Sequence, residues 1–176
     1  MGSTGRPQNT KYRLLGRHGL YIALFLLLYI WQSTPGFLAI DGSKPLWVLP
    51  AAIAVALWEG ETVGGLYGAF AGLLCDISGP LVFGFNGFLT CLACIAVGLL
   101  VAYFVRCNLL SCVLFAAAFV FLRGHLEFLF AFGMWGYDNV WRLYVSRALP
   151  TMAYTVAVSP LLYLLFRTLH RYFTKE

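Results

Sequence analysis

From residue 19 to residue 166 the sequence is almost unbroken apolar chain, cut only by the short segments "DGSKP", "EGE", "DISGPLVFGFNG", "RCN" and "WGYDNVWRLYVSR". Apolar runs that approach 20 residues match the hydrocarbon thickness of a bilayer when they are helical. Composition agrees, because 61% of the residues are apolar, 11% are charged and the mean hydropathy is +0.80. A soluble domain of 176 residues has too little interior to keep that much apolar surface from water. The solvent this predicts is lipid, and the expected fold class is all-α: a polytopic membrane protein built as a bundle of six transmembrane helices.

The expected spans cover residues 19–32, 46–58, 62–75, 88–105, 109–132 and 148–166. The second and third are short, so they cross only where the bilayer thins or where their ends are buried in protein. The first run is followed by "WQSTPGFLAI", which stays bulky, so it reads as a retained span and not as a cleaved signal peptide. Residues 1–18 and 167–176 form basic tails around a transmembrane domain of residues 19–166. Orientation follows from the basic residues of the short loops, which stay cytoplasmic. With both termini inside, Arg6, Lys11, Arg13, Arg17, Arg106, Arg167, Arg171 and Lys175 are cytoplasmic, against Lys44, Arg142 and Arg147 outside. The net charge of +5 then reports topology and contact with anionic headgroups. No aromatic-interleaved basic patch points to nucleic acid.

In the third span Gly60, Gly64, Gly68, Gly72 and Asp76 recur every four residues, which puts them along one helical face. Small residues at that spacing let a neighbouring backbone approach, so this face is expected to pack on protein. Asp76 inherits that face. It either caps the turn "DISG", where Gly79 supplies the unusual dihedral, or joins a polar cluster at the outer end of the bundle. The fifth span carries Arg123 and Glu127 four residues apart, a spacing at which they pair within one helix. Ionisable groups at such depth mark a strut, a partner contact or a ligand pathway. Gly64, Gly68, Gly72, Asp76, Gly79, Arg123 and Glu127 are therefore the candidates for helix packing or a partner interface.

Catalysis finds little support. His18, His125 and His170 sit in different segments, and "CLAC" at Cys91 and Cys94 reads as packing within a helix, not as a redox or metal pair. No phosphate loop and no nucleophile elbow appear. Asp76 and Asp138 could form an intramembrane aspartyl dyad like that of lipoprotein signal peptidases, but "LLCDISG" and "GYDNVW" do not reproduce those motifs. No catalytic residue, metal site or cofactor is expected.

Over residues 35–173 the chain resembles the rod shape-determining protein MreD family. The resemblance rests on "QSTP", "KPLWVLPAAIAVAL", "GAFAGLLCDISG", "GFNGF" and "RALPTMAYTVAVSPLLYLLFRTLHRYF", and the string ending at Asp76 is the most specific of these. It implies a non-catalytic inner-membrane scaffold of the cell-elongation machinery that binds MreC and helps link MreB filaments to RodA and its penicillin-binding transpeptidase. The family fold is similar to that of the substrate-binding membrane subunits of energy-coupling-factor vitamin transporters. A small-molecule-binding transporter subunit is thus the alternative, with Trp135, Tyr137, Trp141 and Tyr144 as contacts, unless these aromatics form an interfacial belt.

Overall fold

The computed structural model describes residues 6–34, 45–79, 82–131, 142 and 144–174. All its regular elements are helical: α1 (Arg6–Ser33), α2 (Val48–Ile77), α3 (Phe85–Tyr103), α4 (Leu109–Ala131), a π-helical turn (Tyr144–Ala148) and α5 (Leu149–Thr174). Among the described residues three helices are long and apolar enough to cross a membrane, by length and composition, over Phe85–Tyr103, Leu109–Phe130 and Tyr144–Tyr172. Helix α1 starts within the basic tail, and α5 continues through residues 167–174.

Helix α2 holds both short apolar runs. Its two arms, 48–59 and 61–77, meet at Gly60, which has φ 82° and ψ −175°. Side chains rarely adopt that backbone, so glycine is what lets the chain fold back there. A Cβ on Gly64 would lie 2.6 Å from Ala56 Cα, which shows how tightly the arms close on one another. Gly60 is therefore the hinge and not a member of the helical face that its spacing suggested. The first arm is buried all round, with Val48, Leu49, Ile53, Val55 and Leu57 each at most 3% exposed. Its lack of an amphipathic pattern is what a helix enclosed by other helices requires.

The helices run alternately between two ends. At one end Arg17 of α1 and His170 of α5 both meet Glu59, while Cys107, in the loop before α4, donates to the Leu57 carbonyl at 2.9 Å. Burial pushes the Cys107 thiol up from its ordinary range. At the other end Tyr29 bonds Ser78 at 2.9 Å, and the Leu46 N–H donates to Thr155 Oγ1 at 3.0 Å. In α5, Pro160 has no N–H to offer the Val156 carbonyl, and Ser159 Oγ donates to that carbonyl at 2.7 Å instead.

Candidate functional site: the Asp76 node

The second arm of α2 packs antiparallel on α3, and glycine makes the approach possible. A Cβ on Gly68 would sit 2.8 Å from both Cys94 Sγ and the Thr90 carbonyl oxygen, and one on Gly72 would sit 2.6 Å from Gly87 Cα. Gly64 faces the first arm instead. The glycine spacing thus serves two neighbours, because the helix winds between them.

At the end of this arm lies Asp76, 6% exposed. Helix α3 begins after Gly84, whose φ of 99° is left-handed and which has no side chain to cap the helix. Asp76 supplies the cap from the preceding helix. Its Oδ2 accepts the N–H of Gly84 at 2.9 Å and of Gly87 at 3.1 Å, and its Oδ1 accepts the N–H of Asn86 at 3.1 Å. A carboxylate at a helix N-terminus also meets the positive end of the helix dipole, so the buried charge is compensated without a cation. The "DISG" turn itself is closed by backbone alone, with the N–H of Gly79 bonded to the Asp76 carbonyl at 3.2 Å.

Asn86 extends the node. It is fully buried, and its Oδ1 accepts from Arg123 Nε at 2.8 Å. Arg123 Nη1 in turn pairs with Glu127 Oε2 at 3.0 Å. Asp76 and Arg123 therefore share Asn86 and form no ion pair with each other. Gln32 of α1 reaches the same region, its Nε2 lying 3.9 Å from Cys75 Sγ while its Oε1 accepts the Val48 N–H at 3.4 Å. Asn86 was visible in the sequence only as the centre of "GFNGF", where nothing in its neighbours signalled a bridge.

A second node was not legible beforehand. Glu59, whose side chain is 5% exposed, takes Arg17 Nη2 at 2.7 Å, the Tyr21 hydroxyl at 3.1 Å and His170 Nδ1 at 3.2 Å. His170 also stacks on Trp58, with ring centroids 5.2 Å apart. The histidines that looked scattered thus have separate structural posts. His18 Nδ1 lies 2.9 Å from the Tyr67 hydroxyl, and His125 Nε2 lies 2.8 Å from the Tyr144 hydroxyl.

Of the aromatics proposed as ligand contacts, Tyr144 is buried against His125 and Phe128 inside the bundle, which removes it from an interfacial belt. Trp135, Tyr137, Trp141 and Asp138 lie outside the described residues. Among the described residues no group of three or more His, Cys, Asp or Glu side chains is placed to hold a metal ion.

The family model described as the rod shape-determining protein MreD matches residues 12–173. The chain belongs to that family. Membership assigns this MreD-family chain to rod shape determination, and its apolar helices fit a multi-pass membrane protein. No curated protein and no solved structure matches it. The likeness to vitamin-transporter subunits therefore rests on the family resemblance alone.

Proposed function

We propose that the chain is a non-catalytic scaffold of the cell-elongation machinery in the bacterial inner membrane. In this reading it binds MreC and helps link MreB filaments to RodA and a penicillin-binding transpeptidase. The family match over residues 12–173 carries the reading. The two nodes support it, since Asp76 and Glu59 are each engaged by groups of the chain's own helices, so the buried charge holds helices together. Gly64, Gly68, Gly72, Asp76, Gly79, Arg123 and Glu127 then serve internal packing first, and they reach a partner only through the shape they maintain.

The proposal includes six crossings, the two arms of α2 counting as two, with residues 1–18 and 167–176 cytoplasmic. Arg17, Arg106, Arg167 and Arg171 lie toward the Glu59 end, which suits the cytoplasmic face. A periplasm-active reporter fused after Glu176 is then silent, and activity there would refute this topology. For the function, depletion in a rod-shaped host should round the cells, and purification in mild detergent should recover MreC. Recovery of an energy-coupling ATPase module with a copurifying small molecule would overturn the scaffold reading in favour of a transporter subunit.

A further inference from the structure

Asn86 is fully buried on α3, and no acceptor among the described residues serves its Nδ2. Turning the amide round does not mend this. Its Oδ1 accepts Arg123 Nε at 2.8 Å, and a guanidinium only donates, so the reversed amide would set donor against donor. Thr90 Oγ1, one turn further along α3, is also buried without a hydrogen-bond partner, but a hydroxyl on a helix can rotate toward the carbonyl four residues back. The Asn86 nitrogen has no such alternative.

Gly79 stands opposite that nitrogen. A Cβ on it would lie 3.7 Å from Asn86 Nδ2, 3.2 Å from the Cys75 carbonyl oxygen and 3.8 Å from Asp76 Cα. Having no side chain, the glycine leaves room for a small group between a donor and an acceptor. The Cys75 carbonyl takes the Ser78 N–H at 3.2 Å and keeps a second lone pair. Gly79 is half-buried and Ser78 exposed, so the place is reached from the end of the bundle opposite Glu59.

We infer that one water molecule is bound beside Gly79, accepting from Asn86 Nδ2 and donating to the Cys75 carbonyl. The two partners select the ligand, which must accept on one side and donate on the other. A metal cation finds no lone pair on the amide nitrogen, and an anion would face the carbonyl oxygen. Immobilising a water costs less than leaving a buried donor unmet, and buried waters characteristically sit on such groups. The bridge ties the last turn of α2 to α3 beside the Asp76 cap, and it extends the line of contacts that runs from Glu127 through Arg123 to Asn86. This hydration site goes beyond the scaffold reading and does not depend on which proteins the chain binds.

The test uses the full chain in lipid nanodiscs with nitrogen-15 confined to asparagine. The side-chain amides of Asn9, Asn86, Asn108 and Asn139 are told apart by replacing the other three with Gln one at a time. The Asn86 amide protons should show a cross-peak to water of opposite sign in laboratory-frame and rotating-frame Overhauser spectra, the signature of a held water and not of proton exchange. Gly79→Ala puts a methyl group in the water's place and should abolish that cross-peak, while an unshifted Asn108 amide reports that the fold is kept. Absence of the cross-peak in the unaltered chain would overturn the proposal. So would a cross-peak that survives Gly79→Ala, because the Thr90 or Ser78 hydroxyl would then be relaying it.

Discussion

A carboxylate that accepts three backbone N–H groups through both oxygens cannot be replaced by an amide without conflict. In Asp76→Asn the amide oxygen serves either Asn86 or the Gly84 and Gly87 pair, and the NH₂ group then faces a donor. Leaving a buried donor unpaired costs about 1–3 kcal/mol, so Asp76→Asn should lower the thermal midpoint in detergent and Asp76→Ala should lower it further. An unchanged midpoint for Asn would mean that the cap does not stabilise α3. Because Asp76 and Arg123 share Asn86 as a partner, the losses of Asp76→Asn and Arg123→Gln should depart from additivity by about 0.5–3 kcal/mol. Strict additivity would mean that Asn86 does not couple the two side chains. Asn86 also offers an opportunity, since its Nδ2 is buried without a partner and a Cβ on Gly79 would lie 3.7 Å away. A serine there can offer its hydroxyl oxygen to that nitrogen. Gly79→Ser should therefore be more stable than Gly79→Ala by about 1 kcal/mol, although both must ease a 3.2 Å approach to the Cys75 carbonyl. Equal midpoints for the two variants would count against that hydrogen bond.

Helix α2 depends on what each glycine meets. At Gly72 an added Cβ meets the backbone of Asn86 and Gly87, which cannot move without displacing the cap, whereas at Gly65 it meets the Ile95 side chain at 2.7 Å, which can rotate. Gly72→Ala should therefore cost more than Gly65→Ala, by about 1–3 kcal/mol if overpacking behaves as it does in other cores. Denaturant or heat titrations of the two variants in one detergent check this, and a reversed order would mean that α3 yields more readily than Ile95. Element scale is also where sequence and structure part. Apolar run length correctly indicated helices and an all-α chain, because burial of backbone in lipid leaves few alternatives to a helix. Four-residue spacing marked Gly64, Gly68 and Gly72 as small for a reason, yet it could not tell that Gly60 leaves the helix. A hinge and a packing glycine look alike in a string, and only φ separates them. The Asp76 cap was half legible: a carboxylate after an apolar run suggests a cap, but the local turn hid the fact that the capped helix is the next one.

Across the whole molecule Glu59 does what no local pattern announces, because its partners lie far apart in sequence, in α1 and in α5. Spacing rules work within a helix, and this contact joins side chains of three different helices. The tie matters most for α1, whose described polar contacts with the rest of the chain fall in two groups: Arg17, His18 and Tyr21 toward the Glu59 end of the bundle, Tyr29 and Gln32 toward the other. Removing the charge with Glu59→Gln leaves Arg17 largely buried beside a neutral amide. Breaking one member of a buried pair typically costs about 3–5 kcal/mol, with the upper part of that range reserved for deeper burial than the 17% exposure of Arg17. The loss should be local before it is global, since α3 and the second arm keep their glycine contacts and the Asp76 cap. Hydrogen exchange of the full chain in nanodiscs should then show faster exchange in the first half of α1 and the last turns of α5, with α3 unchanged. Uniform acceleration along the chain would mean that Glu59 supports the whole bundle equally, and unchanged exchange in α1 would mean that apolar packing alone holds that helix in place.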